Sequence, residues 1–147
     1  MSRKKQLVID SSVSVKWINS QDEKYLDKAD QVLTATRDGK VELLAPELSK
    51  YEIGNVLWKK RMELPSALSS LTCYYSIPIN FISWNPELAG KSMEIAIENE
   101  ITYYDACFLA LADKFNAPLL TDNPKHQNKK IAGIKIVPLS DFSFQQA

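Results

Sequence analysis

Glycine is scarce in this chain. There are four in 147 residues, and none falls in a G-x-G-x-x-G or P-loop arrangement. A glycine-rich loop that cradles phosphate ahead of a helix is therefore excluded. Histidine is scarcer still: His126 stands alone, which disfavours any mechanism needing two imidazoles as acid and base. The two cysteines, Cys73 and Cys107, lie far apart with no metal or redox spacing, and read as buried free thiols in a reducing cytosol. No apolar run approaches the ~20 residues of a membrane span, and no secretory signal is visible. A cytoplasmic protein without a membrane segment is the expectation. An excess of either charge is also missing, with 18 Lys and Arg against 18 Asp and Glu. A globally basic nucleic-acid binder is thereby excluded, and any such contact must be local.

What is present is enough apolar material for one core. The chain is 45% hydrophobic and 24% charged, ordinary for a globular domain. Its length fits a single domain, 1–147. A mobile basic N-terminal tail is expected over 1–5 and a loosely attached C-terminal tail over 139–147.

Leu7-Val8-Ile9 reads as a strand buried on both faces, ended abruptly by Asp10. Such a run implies a parallel sheet covered by helices on each side. Ser11 or Ser12 can cap a helix over roughly 13–19. A polar turn follows at 20–23. Tyr25, Ala29, Val32, Leu33 and Thr36 repeat at helical spacing, and Gly39 is a stop signal. Val41 to Ala45 reads as a second strand closed by Pro46. A helix over about 47–62 carries Leu48, Tyr51, Ile53, Val56 and Leu57 as its apolar stripe, and Glu52 lies beside that stripe. Pro65-Ser66 opens a helix bearing Leu68, Leu71, Tyr74 and Tyr75. Residues 79–82 form a third strand. Asn85-Pro86 is a cap followed by a first-turn proline and starts a helix to about Asn99. A further helix over 102–115 places Ile101, Tyr104, Phe108, Leu111, Ala112 and Phe115 inward, with Asp105 on the same stripe. Leu119-Leu120-Thr121 repeats the first strand's pattern, with Asp122 after it and a turn at Asn123-Pro124. A basic loop and a last strand over 134–137 follow. The alternation predicts an α/β fold, three layers deep, with a mostly parallel central sheet.

Each acid has an ordinary explanation when taken alone. Asp10 and Asp122 suit turns, Asp105 closes a capping-box pattern with Thr102, and Glu52 is compatible with a solvated helix face. Together they are harder to dismiss, because two end strands and two lie on inward helix stripes, positions that converge at the carboxyl edge of a doubly wound sheet. Two carboxylates ~4 Å apart repel by roughly 4 kcal/mol at an effective dielectric of about 20. Such a cluster must take up protons or a cation. Oxygen ligands without thiolates or several histidines suit Mg²⁺ or Mn²⁺, and carboxylate-held magnesium is a common arrangement for phosphodiester chemistry.

The segments V-I-D-S-S (8–12), P-E-L-x-x-x-E-x-x-N-V-L (46–57), T-Y-Y-D-A-C-F-L-A-L-A (102–112) and L-L-T-D-N-P (119–124) together resemble a PIN domain, and within that family they are most similar to VapC-type toxins. The resemblance implies an Mg²⁺- or Mn²⁺-dependent ribonuclease, a hydrolase acting on RNA phosphodiesters. The family's acids fall on Asp10, Glu52 and Asp105. Ser12 matches a small hydroxyl residue near the first acid, and Asn55 a polar residue one turn after the second. Relatives that read T-x-D at the fourth position align Thr121 with the threonine and Asn123 with the acid, leaving Asp122 one residue early. The resemblance also implies a homodimer and a small antitoxin that covers the active-site groove.

Positive groups that could meet RNA phosphates are Lys59, Lys60, Arg61, Lys125, Lys129 and Lys130. Trp17, Trp58 and Trp84 could stack on bases, although core or dimer surface is the commoner use. A receiver-like phosphoacceptor is disfavoured, since Ser11 rather than a second acid follows Asp10 and the third strand runs into Ser83-Trp84. A PIN fold that binds RNA or protein without catalysis stays open, with Asn123 as the feature in its favour.

Overall fold

The computed structural model describes residues 4–21, 23–123, 125, 130–131 and 133–143. Among the described residues, five strands form one all-parallel sheet in the order β3-β2-β1-β4-β5. They are β1 Lys5–Ile9, β2 Val41–Pro46, β3 Ile79–Ile82, β4 Leu119–Thr121 and β5 Ile136–Pro138. The chain winds outward from β1 through β2 to β3, then crosses back to lay β4 on the other side of β1. This reversal makes the β1–β4 seam the topological switch point, where doubly wound sheets leave a crevice at their carboxyl ends. The seam is fixed by the pairing of Ile9 with Leu120 and by Asp10 N donating to Leu120 O at 3.0 Å.

Among the described residues, the helices that cover the sheet are α1 Ser11–Ser14, continued by a 3₁₀ turn Val15–Trp17, then α2 Leu26–Arg37, α3 Leu48–Lys59, α4 Leu64–Ser76, α5 Pro86–Asn99 and α6 Tyr103–Phe115. Side chains alternate across each strand. Val8, Leu44 and Leu119 face a core with α5 and α6. Leu7, Ile9, Leu43 and Leu120 face the opposite core with Ala29, Val32 and Ala35 of α2. A smaller core joins Val15 to Ile53, Leu57, Tyr74 and Ile77 under α3 and α4. α6 is sunk deepest, with every residue from Ala106 to Ala112 buried. Two of the starts read from the sequence are formed: Asn85 Oδ1 accepts from Leu88 N at 2.8 Å and Thr102 Oγ1 from Asp105 N at 3.1 Å. Gly39 sits at φ +76°, the left-handed turn that ends α2.

Several expectations are corrected. Ser11 and Ser12 cap nothing. Asp10 holds the N-cap position, without a side-chain cap bond. Lys5 belongs to β1 rather than to a tail. Tyr25, Tyr51, Leu68, Tyr75 and Tyr104 are exposed, because helical spacing marks a face but not whether anything covers it. Cys73 is exposed too, while Cys107 is buried. The last strand lies two residues further on, at β5. Most distinctly, residues 139–142 are no loose tail. A 3₁₀ turn Leu139–Asp141 follows β5 directly, and Leu139 and Phe142 are buried in the α2-side core, with Lys28 Nζ donating to Phe142 O at 2.8 Å.

Candidate active site

Asp10 leaves β1 at the switch point and is 5% exposed. Its Oδ2 accepts from two hydroxyls, Ser12 Oγ at 2.7 Å and Thr121 Oγ1 at 2.8 Å. The same hydroxyls accept from the backbone of the opposite strand's exit: Asp122 N donates to Ser12 Oγ at 2.9 Å and Asn123 N to Thr121 Oγ1 at 3.0 Å. Two strand ends are thereby stitched together through one carboxylate. A short helix can begin at once after Asp10 because residues 11–14 are three serines and a valine, small enough to sit against the seam.

Glu52 enters from α3, one turn inside the helix, and is half-buried. Its Oε1 accepts from Ser11 Oγ at 3.0 Å. Asp10 and Glu52 are thus fixed by adjacent serines. Behind Ser11, a buried hydroxyl chain runs to Ser49 at 3.3 Å and on to Tyr74 at 2.7 Å. Burial pushes the Tyr74 hydroxyl up to about 12, against the opposing effect of its bond with Ser49. Burial likewise raises the Cys107 thiol, and the charge of Glu52 adds to that rise, so the first half of α6 lies within electrostatic reach of Glu52. Asp105 stands in the first turn of α6, half-buried. Because α6 must run antiparallel to the strand it feeds, that turn lies at the sheet's carboxyl edge.

Asp122, directly after β4, has a charged partner of its own. Its carboxylate pairs with Lys16 Nζ at 2.9 Å. Lys16 also meets Glu23 at 2.8 Å, and Glu23 in turn meets Lys60 at 2.9 Å. Burial alone would lower the Lys16 pKa, but bonding and charge from Glu23 and Asp122 outweigh it, so the ammonium is held above the ordinary lysine value. Asn123 Oδ1 accepts from Lys125 N at 3.0 Å, closing its own turn. Asn55 is exposed on α3.

The structure thus joins Asp10, Ser12, Thr121, Asp122 and Asn123 in one hydrogen-bonded cluster and ties Glu52 to it through Ser11. Among the described residues, no three His, Cys, Asp or Glu side chains gather closely enough to form a metal-holding group. The donor set nonetheless fits a hard divalent ion. It is all oxygen and borne on separate elements at one edge. Mg²⁺ typically takes one or two carboxylates and keeps several waters rather than demanding a closed protein cage. The positive groups divide. Lys59, Arg61, Lys125 and Lys130 are exposed, Lys60 is committed to Glu23, and Lys129 and His126 lie outside the described residues. Trp58 is exposed, while Trp17 and Trp84 pack partly into the cores.

Sequence reasoning missed Lys16, Glu23, Ser11, Ser49 and Tyr74. A signal existed for Lys16: it lies four residues after Ser12 in an otherwise apolar and small-residue segment, where a solvated lysine is out of place. The hydroxyl chain to Tyr74 left none.

The sequence matches the model of the PIN domain family over residues 7–132. The chain is a PIN domain. Compared by sequence with curated proteins, it finds no match. By shape, this PIN domain is similar to VapBC2 from Rickettsia felis, solved bound to a DNA fragment from its promoter. That match has a TM-score of 0.67 and 17% identity, over 90% of this chain and 98% of the other. It is similar to a toxin–antitoxin complex from Klebsiella pneumoniae, with a TM-score of 0.64 and 18% identity over 90% and 97%. It also resembles VapC20 of Mycobacterium tuberculosis, described as a toxin that cleaves the sarcin–ricin loop, with a TM-score of 0.65 and 13% identity over 88% and 98%. The PIN fold, five parallel strands between helices, is thus reached from both sequence and shape. No described helix is long and apolar enough to cross a membrane.

Proposed function

We propose that this PIN domain is a Mg²⁺- or Mn²⁺-dependent endoribonuclease, the toxin of a toxin–antitoxin pair. The observation that carries the reading is the fixing of Asp10 and Glu52 by the adjacent serines 11 and 12 at the switch point. Membership of the PIN family supports it, as do toxin neighbours of matching shape, one of them named for cleaving the sarcin–ricin loop.

In this reading Asp10, Glu52 and Asp105 hold the ion, and the fourth position falls to Asp122 or Asn123. The bound ion supplies an activated water and neutralises charge developing on the phosphate. Ser12 and Thr121 hold the Asp10 carboxylate in one rotamer, so that its orientation need not be found anew when substrate arrives. Ser11 does the same for Glu52. Lys59, Arg61, Lys125 and Lys130 stand exposed for backbone phosphates. The neighbours solved as VapBC complexes favour a small protein antitoxin as partner, and a homodimer goes with the same reading.

The test is to incubate the pure protein with a panel of structured RNAs, with Mn²⁺ and after chelation. Discrete fragments that disappear on chelation are expected. RNA that is bound yet left intact at millimolar Mn²⁺ would support the second reading, a PIN-fold binding module. Asn123 at the expected acid position favours that alternative.

A further inference from the structure

Asp122 was the natural candidate for a fourth carboxylate ligand, yet its charge is already answered. Lys16 is buried to 1% of its side-chain surface, and its ammonium lies between Asp122 at 2.9 Å and Glu23 at 2.8 Å. Glu23 carries a second cation, Lys60 at 2.9 Å. Two acids and two lysines therefore close a neutral network against the centre. It is anchored to Asp10 by a short path, since Asp122 N donates to Ser12 Oγ, which donates to Asp10 Oδ2. A lysine this enclosed cannot be a solvated surface charge, and its position is set on the 3₁₀ turn Val15–Trp17 that continues the short helix begun at Asp10.

We infer that Lys16 is a built-in counter-cation of the carboxylate edge: it holds Asp122 as a positioning residue rather than a metal ligand, and so limits the centre to one divalent ion. The inference rests on the metal-centre reading above and deepens it. With its charge answered by Lys16, Asp122 offers no free carboxylate with which to hold a second divalent ion. The site then needs three carboxylates from the chain, not four.

A charge cycle read by calorimetry with Mn²⁺ alone tests this. The wild type binds one ion per chain. Lys16→Met removes the cation and releases Asp122, so Mn²⁺ binds at least about tenfold tighter or a second ion is taken up. Asp122→Asn leaves Lys16 facing the centre with one acid fewer, and binding weakens. The double variant Lys16→Met with Asp122→Asn restores neutrality, and its affinity returns to within about threefold of wild type. If the double variant stays as weak as Asp122→Asn, Asp122 is a ligand and the inference is overturned. Unchanged Mn²⁺ binding in Lys16→Met overturns it as well. Thermal melting checks folding, and Lys16→Gln serves as the uncharged variant if the methionine is not accepted. Asp10→Asn separates the two levels. Loss of Mn²⁺ binding there with a weak double variant rejects only the role of Lys16. Mn²⁺ binding equal to wild type in Asp10→Asn, or none in wild type, rejects the metal centre and this inference with it.

Discussion

Thr121 shows how much a single hydroxyl carries here. It is fully buried, donates to Asp10 and accepts from Asn123 N. Thr121→Val keeps the shape but strips a donor from a buried carboxylate and leaves a backbone N–H without its acceptor. A loss of about 1–3 kcal/mol is expected in denaturant unfolding, together with weaker Mn²⁺ binding. Tyr74 offers a second test at this scale. Its pKa in the folded chain is raised from 10.0 to about 12, so the native state holds its proton more tightly than the unfolded chain does. Its contribution is fully present below about pH 10 and is lost as the pH rises toward about 12. Unfolding free energies measured across that window should fall more steeply for wild type than for Tyr74→Phe; equal slopes would contradict the assignment. The strand-end positions of Asp10 and Asp122 were legible in the sequence because each follows an apolar run directly. The bonds that hold them were not, since serines 11 and 12 also suited helix caps and nothing in the spacing tied Lys16 to Asp122, 106 positions away.

The helices divide by how their ends and faces were signalled. Asn85 and Thr102 announced their caps, because a short polar side chain before a helical stripe has one local acceptor role to fill. Asn85→Ala removes the bond to Leu88 N, and a loss of about 1 kcal/mol, or a few degrees in the melting midpoint, is expected. α3 and α4 were placed correctly, but their aromatic stripe was read inward while Tyr51 and Tyr75 face solvent. Periodicity cannot distinguish a covered face from an open one. The turn after β5 left no periodic trace at all, because its hold on the fold comes from two side chains, Leu139 and Phe142. Leu139→Ala should cost about 2–5 kcal/mol by chemical denaturation; a value near zero would return this segment to the status of a tail.

At the scale of the whole molecule, the alternation of strands and helices determined a parallel sheet, and a parallel sheet wound both ways from β1 determined where a site would lie. The seam between β1 and β4 is where sequence positions 111 residues apart, Asp10 and Thr121, share a hydrogen bond. That juxtaposition follows from topology and could be anticipated. The degree to which the carboxylates close on one another could not, because it depends on rotamers set by Ser11, Ser12, Thr121 and Lys16. The central claim is that this edge is a metal-dependent RNA-cleaving centre and not merely a well-bonded corner of the fold. It is tested most directly by comparing RNA cleavage in Mn²⁺ by wild type, Asp10→Asn and Asp105→Asn, each shown by circular dichroism to be folded. Cleavage by wild type alone, abolished by chelation, is the predicted result; equal metal-dependent cleavage by all three proteins would contradict it.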